Sequence, residues 1–361
     1  MKKIIKLIAS IPLVRPAHKM FKRTLFSVAS INRVASTLYH QISFFTYNRE
    51  QYAVLKGAKA YFNNIKKSRP SRVELRRNIH RIEKGLLMRP RRKVFAKDYI
   101  YETVVSYKAV AQDIAKGIVV DESEAQWAHD VLDEYFNVIQ VDGDKQVRKA
   151  HDVFEGMQRK SKVKTQNNKP YNYKEIKKSE IGYEEFLKLS LQRRSVRWFK
   201  KKKVPRELVD KAVIVGRQAP TACNRIPYEF RIYDDPELVR KIAGIPFGTA
   251  GYAHNIPMII VLVGRLDSYF EASDRHAIYI DASLAAMSFM FALETLGLNS
   301  LAIHWPAYEF MERKMQKLLG LKVYERPIFL MGVGYAEPEG MIAFSQKKPL
   351  DILRSYNKID N

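Results

Sequence analysis

Apolar residues recur at three- and four-residue spacing through most of residues 46–160, and that spacing predicts helices. NREQYAVLKGAKAYFNNI (48–65), DYIYETVVSYKAVAQDIAKGI (98–118), SEAQWAHDVLDEYFNVIQ (123–140) and KQVRKAHDVFEGMQRK (145–160) all carry it. Between the first two lies a dense basic stretch, RRNIHRIEKGLLMRPRRKVF (76–95). Residues 160–180, KSKVKTQNNKPYNYKEIKKSE, are polar and poor in aliphatics, the composition of a linker. From about residue 181 the pattern changes. YEEFLKLSLQ has helical spacing. VPRELVDKAVIVGRQAP predicts a helix with Pro205 near its start and Pro220 after it. EFRIYDD predicts a short strand, MIIVLVGR a buried β-branched one, NSLAIHW another and RPIFLMGVGYA a last long one, and AYEFMERKMQKLLGL predicts a further helix. DASLAAMSFMFALETLGL predicts a helix from an Asp281 N-cap to a stop at Gly297. It is apolar on nearly every side, so it belongs in a core or a subunit interface. Helices and strands mix without a regular βαβ repeat, which argues α+β rather than a doubly wound fold. The expected organisation is a basic amphipathic arm (1–45), a helical domain (46–160), a basic polar linker (161–180) and an α+β domain (181–361).

Charge sharpens that division. The net charge is +25 over 361 residues, and residues 1–100 hold 24 Lys/Arg against 4 Asp/Glu, so the excess belongs to one end. The first thirty residues resemble a signal peptide only superficially: Lys6 interrupts the apolar run, Pro12 breaks it, and Arg15, Lys19, Lys22 and Arg23 follow. No uncharged apolar run reaches about 18 residues, so no transmembrane helix is predicted. Two readings of the arm stand: it lies on an anionic membrane surface, or it docks on the protein. Cys223, the only cysteine, excludes an intramolecular disulfide and a thiolate cluster, and reads as a compact packing residue. The eight histidines show no ligand spacing, so no metal is expected. The aromatics follow helical core spacing and no RNA-binding motif is present, so nucleic acid is not expected as a partner.

Arg193, Arg194, Ser195 and Arg197, in LQRRSVRWF, are a compact set of cationic and hydroxyl donors that suits a phosphate, or else a solvated basic helix end. In QAPTACNRIPYEF, Asn224 sits in a small-residue loop leading into a strand, where an amide that donates and accepts would read a flat heterocycle or cap its own turn. GVGYAEPE (332–339) lacks the third glycine and following helix of a dinucleotide fingerprint. Lys347 and Lys348 beside Pro349 are a further phosphate contact or two surface lysines.

In their order, RRSVRWF, APTACNRIPYEF, DASLAAMSFMFALETLGLNSLAIHW and GVGYAEPE followed by KKPLDIL make residues 183–355 resemble the FMN-dependent nitroreductase family. The resemblance implies a nitroreductase-like α+β homodimer with FMN at the subunit interface and NAD(P)H as co-substrate. On the family pattern Arg193 and Ser195 meet the phosphate and ribityl chain, with Arg194 among the cofactor-binding residues. Arg197 sits by the pyrimidine edge, where reduction places negative charge. Asn224 bonds the ring, and the backbone of His304 and Trp305 lies near flavin N5. Lys347 stands where the family often has an arginine, keeping the charge without the fork.

The helical half is the departure from that pattern. His80, Arg81 and Lys84, with Glu83, fall within about a turn of helix. They line an anionic substrate site against the flavin, or make local ion pairs of little energy. The resemblance implies hydride transfer from NAD(P)H through flavin N5 to a nitro, quinone or other specific acceptor, anionic and envelope-related on the strength of the basic arm. The rival expectation is a non-catalytic flavin-fold module that binds a membrane surface or partner through its basic half. Either is expected in the cytoplasm or at the inner face of the membrane.

Overall fold

The structure, a computed structural model, describes residues 14–42, 47–64, 72–118, 121–158 and 166–359. Parts of the expected arm (1–13 and 43–45) and linker (161–165) lie outside these. The amphipathic segments α1 (Val14–Ala29) and α2 (Arg33–Ile42) form a helical hairpin, closed by an edge contact of Phe26 on Tyr39. Next come α3 (Asn48–Asn64), α4 (Val73–Leu86), α5 (Ile100–Ala115), α6 (Glu122–Val138) and α7 (Lys145–Gln158). The basic stretch at 76–95 therefore begins as a helix. Leu75, Ile79, Ile82 and Leu86 recur at helical spacing and are buried, so α4 enters a core with Ile100 and Val104 of α5, Val131 and Leu132 of α6 and Val147 and Phe154 of α7.

The second half is built from α8 (Tyr183–Gln192), α9 (Arg206–Gly216), β1 (Tyr228–Tyr233), α10 (Pro236–Ala243) and β2 (Met258–Arg265). It continues with α11 (Ala277–Thr295), β3 (Asn299–Ile303), α12 (Glu309–Leu319), β4 (Glu325–Gly334) and a short α13 (Leu350–Leu353). The four strands pair antiparallel in the order β1-β2-β4-β3. This is the α+β class expected from the pattern. Strand periodicity sends Met258, Ile260 and Leu262 of β2 to one face, against α9 and α11. Ile259, Val261 and Val263 go to the other, against α10 and α12.

Three local outcomes differ from the sequence reading or refine it. Asp281 does not cap α11, which starts at Ala277 behind His276; its carboxylate is buried within the helix and turned to other partners. Gly297 does end it, at φ +73°, with Leu298 N–H returning to Leu293 O at 2.9 Å. Helix α11 is long and apolar enough to cross a membrane (Ala272–Thr295, mean hydropathy 1.4), yet half of it is buried against the sheet, the signature of a core helix. Helix α3, although part of the helical run in sequence, packs on the sheet core. Ala53 joins that core, and a Cβ on Gly57 would stand 2.8 Å from the Leu266 backbone. Arg49 clamps Glu309 of α12 through two bonds of 2.6 and 3.1 Å. Residues 166–169 are also docked. The amides of Gln166 and Asn168 donate to buried Asp130 at 3.1 and 2.8 Å, and Lys169 pairs with Glu134 at 2.8 Å.

Candidate functional site

Helix α8 stops at Gln192, and Arg193 turns out with ψ 116°. The chain then runs extended beside β3. Ser195 bridges Ser300 in parallel, and Val196 N–H donates to Ser300 O at 3.1 Å. Val196 and Phe199 plug the core, which leaves Arg193, Arg194, Ser195 and Arg197 half-exposed on the outer side. The segment is tied at both ends of its path. Asn255 Nδ2 donates to Arg197 O at 2.9 Å, Lys200 N–H to Tyr335 O at 2.8 Å and Glu337 N–H to Trp198 O at 2.9 Å. Thus GVGYAEPE is a backbone partner of the arginine segment. Among the described residues, none of Arg193, Arg194 and Arg197 has a carboxylate within 4 Å, an arrangement that leaves three guanidinium forks for a ligand. Glu294, within electrostatic reach of Arg193, accepts from Gln192 and Asn299 instead, and burial raises its pKa. Beside the segment, the Ser300 hydroxyl is fully buried with no partner among the described residues.

His304 and Trp305 leave the far end of β3, about 13 Å along the strand from Ser300 at ~3.3 Å per residue. His304 is exposed. The Trp305 indole is buried and donates to Glu312 at 2.8 Å, which in turn holds Arg326 at 3.2 Å. Its side chain is committed to the core, and only its backbone is free to serve a ligand.

Asn224 lies in a loop of unusual backbone. Cys223, Asn224 and Ile226 all have positive φ, at 54°, 52° and 49°, a region that costs non-glycine residues energy and a β-branched residue most. Two outside groups enforce that shape. From α11, Asp281 accepts the Ala222 amide at 2.9 Å and the Tyr269 hydroxyl at 3.2 Å; burial raises its pKa, and these bonds offset that only in part. From α4, Arg76 Nε donates to Asn224 O at 3.0 Å while its Nη1 pairs with Glu124 at 2.8 Å. Asp281 and Arg76 are loop-holding positions that sequence reasoning missed. The signal for Asp281 was present, an acid in an apolar helix, but it was consumed by the N-cap reading. Nothing local marked Arg76 out from its basic neighbours.

The predicted residues do not converge within one chain. Asp281 and Glu294 are 13 residues apart on α11, about 20 Å at ~1.5 Å per residue, and they hold the Asn224 loop and the end of α8 respectively. Lys347 lies in an exposed tail: residues 341–359 are exposed throughout, with Met341, Phe344 and Ile359 more than 80% exposed. A stripe on α11 (Ile280, Leu284, Met287) is exposed at i, i+4, i+7, as are Phe186 and Leu191 of α8. Of the substrate candidates, His80 bonds Glu83 at 3.0 Å, Glu83 also accepts from Trp127 at 2.9 Å, and Lys84 is exposed. Arg81 points elsewhere, stacked 3.6 Å from the Tyr99 ring centroid. Two surface clefts, of ≈ 400 Å³ beside Arg49 and Glu309 and ≈ 540 Å³ beside Met88 and Tyr171, touch neither the arginine segment nor the Asn224 loop.

Comparison with known proteins finds relatives for part of the chain. Residues 191–250 and 244–335 match the nitroreductase family. The chain is 25% identical over 195 residues to iodotyrosine deiodinase 1 of Pongo abelii, covering 46% of this chain and 66% of that protein. It is 26% identical over 192 residues to iodotyrosine deiodinase of Haliscomenobacter hydrossis (45% and 85%). It is 24% identical over 182 residues to an NADH dehydrogenase of Thermus thermophilus (42% and 86%). So the chain spans about two thirds of the first of these relatives. Among solved structures, an FMN-dependent nitroreductase from Clostridium difficile aligns at 20% identity and TM-score 0.42, over 48% of this chain and 99% of that one. The family match leaves residues 1–190 uncovered.

Proposed function

We propose, from the premise that the C-terminal half of this chain belongs to the nitroreductase family, that the protein is an FMN-dependent oxidoreductase reduced by NAD(P)H and active as a homodimer. The observation that carries the reading is the arginine segment: three half-exposed guanidiniums and a serine, unpaired by acids and held in register by β3 and β4. When bound, FMN would supply the two-electron chemistry, and the chain supplies position and field. Arg193, Arg194 and Ser195 would hold the phosphate, matching guanidinium forks to its oxygens. Arg197 would place a fixed cation at the ring edge where charge develops. Asn224 would bond the ring, and the backbone of His304 and Trp305 would face its reactive centre. Lys347 would join the phosphate contacts only if the exposed tail folds onto a neighbouring subunit.

The separation on α11 supports a homodimer. A loop and an arginine segment whose anchors stand about 20 Å apart along that helix serve a single cofactor best when the loop of one protomer meets the segment of another. The apolar stripe of α11 and the exposed tail supply the surface for that contact. Anaerobic titration tests the proposal: the purified protein is expected to be yellow, and NADH or NADPH to bleach it. A chain that folds but retains no FMN after reconstitution overturns it. Relatives named for deiodination as well as for NADH oxidation support an acceptor set by features outside the shared domain, and a nitro, quinone or anionic, envelope-related acceptor fits this chain.

The hairpin supports a second role, peripheral attachment to the inner face of a membrane. Met20, Phe21, Ile31, Val34 and Leu38 are all more than half exposed, and the first acid in the chain is Glu50. An apolar, wholly basic surface suits anionic lipid. Flotation with phosphatidylglycerol vesicles but not phosphatidylcholine vesicles is the expected result. A protein that floats with neither retires the idea, and with it the reading of the chain as a non-catalytic membrane module.

A further inference from the structure

The seam between the α4–α7 core and the sheet domain gathers cations that nothing neutralises in full. Arg77 and Arg81 stand one turn apart on α4 and share the buried amide oxygen of Asn78 at 3.4 and 3.3 Å. Arg77 lies 5.5 Å from the Phe270 ring centroid and Arg81 3.6 Å from that of Tyr99. Among the described residues neither has a carboxylate within 4 Å. Across the seam, Arg225 follows Asn224 in the left-handed loop, lies 4.5 Å from the Tyr269 ring and is 6% exposed. From α3, Tyr61 packs 5.3 Å from Phe270, and its hydroxyl lies within electrostatic reach of Arg77, Arg81 and Arg225. That hydroxyl and Arg225 Nε are both buried without a hydrogen-bond partner among the described residues.

The acids that face the cluster are few and poorly placed. Half-exposed Asp274 stands 3.7 Å from Arg225. Glu74 faces Tyr61 and Arg77, and its own burial together with Glu102 raises its pKa. Asp281 faces Arg225 but is engaged by Ala222 and Tyr269, and Asp98 faces Tyr99. Guanidiniums stacked on aromatic faces keep their edges free for forked bonds to oxygen anions. An orphaned hydroxyl and an orphaned N–H at the same seam are groups that an anion would satisfy.

We propose that Tyr61, Arg77, Arg81 and Arg225 form a binding site for a phosphoryl group at the interdomain seam, next to the Asn224 loop. The site deepens the proposed function, and rests on it only in assigning the phosphoryl group to the acceptor. It revises the sequence expectation: Arg81 stays, Arg77, Arg225 and Tyr61 join it, and His80 and Lys84 drop out because one is bonded to Glu83 and the other is exposed. A phosphoryl ester on an aromatic or glycosyl acceptor and free inorganic phosphate share this chemistry. The apolar rim of Phe270 and Tyr99 favours the ester.

The test is calorimetric titration of the FMN-saturated full chain with phenyl phosphate and with inorganic phosphate, so that the cofactor's own phosphate site is filled. Binding of phenyl phosphate is expected, weakened roughly tenfold to a hundredfold in the Arg77→Met/Arg81→Met double variant and unchanged in Lys84→Met. Methionine keeps the stacked stem, and the single Arg77→Lys variant, expected to be intermediate, serves if the double variant does not fold. Tighter binding of phenyl phosphate than of inorganic phosphate identifies an ester; equal binding identifies free phosphate. Absence of binding up to millimolar concentration, or equal binding by the parent and the double variant, overturns the site. A colourless protein that still binds phenyl phosphate through Arg77 would keep this site and remove the flavin reading; a yellow protein that ignores it would do the reverse.

Discussion

Arg76 links the two halves of the molecule, and its replacement separates two effects. Its ion pair with Glu124 is buried, with side chains 13% and 4% exposed. Arg76→Met leaves Glu124 buried without that partner, a loss of about 3–5 kcal/mol for one side of a buried pair. Glu124 keeps the bond from the Arg72 amide at 3.1 Å, which places the expectation at the low end, ~3 kcal/mol. That corresponds to roughly 6–12 °C in Tm for a domain of this size. The variant also loses the 3.0 Å bond to Asn224 O, worth about 0.5–1.5 kcal/mol net, which helps to hold a loop with three left-handed non-glycine residues. FMN affinity should therefore fall by roughly threefold to tenfold. Adding Glu124→Gln removes the buried charge that faced Arg76 without restoring the bond to Asn224. The double variant is expected to recover most of the Tm, read by scanning calorimetry, while FMN affinity, read by flavin fluorescence quenching, stays low. Recovery of both together would show that α4 acts on the loop only through overall stability, and the idea of a direct prop would be wrong. A single variant within about 1 °C of the parent would refute the energy assigned to the pair.

Three further outcomes follow from the same geometry. Arg197→Ala is expected to slow flavin reduction by about a hundredfold in stopped-flow while shifting Tm by little, because its guanidinium is half-exposed and unpaired by acids; an unchanged rate with full flavin content would remove its role. Trp305→Phe strips a buried donor from Glu312 and should cost about 1–3 kcal/mol in denaturant unfolding, with FMN affinity within about twofold, since the indole faces the core; a large loss of flavin would contradict that placement. Arg49 and then Arg313 hold the Glu309 carboxyl below its usual range. The stability this gives is complete above the ordinary Glu pKa and is lost as pH falls through the depressed value, so Arg49→Met should be less stable than the parent at neutral pH and converge with it in acid; parallel Tm curves across that range would disprove the linkage.

The periodicity of the chain determined most of the elements by itself. MIIVLVGR became β2 at the predicted residues because continuous burial on both faces demands an unbroken β-branched run. The extent of α11 was legible at its C-terminus, where Gly297 alone accepts the left-handed turn at little cost, but not at its N-terminus. There, Asp281 looked like a cap because a cap and a buried acceptor are the same residue type; only the folded chain shows which amides come to meet it. Charge density alone left the arginine segment open as an anion site or a solvated helix end, and the packing of Val196 and Phe199 explains how those charges stay outside. What the tertiary structure alone decided is who stands next to whom across large sequence separations. Arg76 meets Asn224 across 148 residues, and Arg49 meets Glu309 across 260. Local patterns carry side-chain periodicity over a few turns, whereas these contacts depend on how whole layers stack. That is why the basic helix could be recognised as unusual from its sequence, while its neighbours on the sheet domain could not.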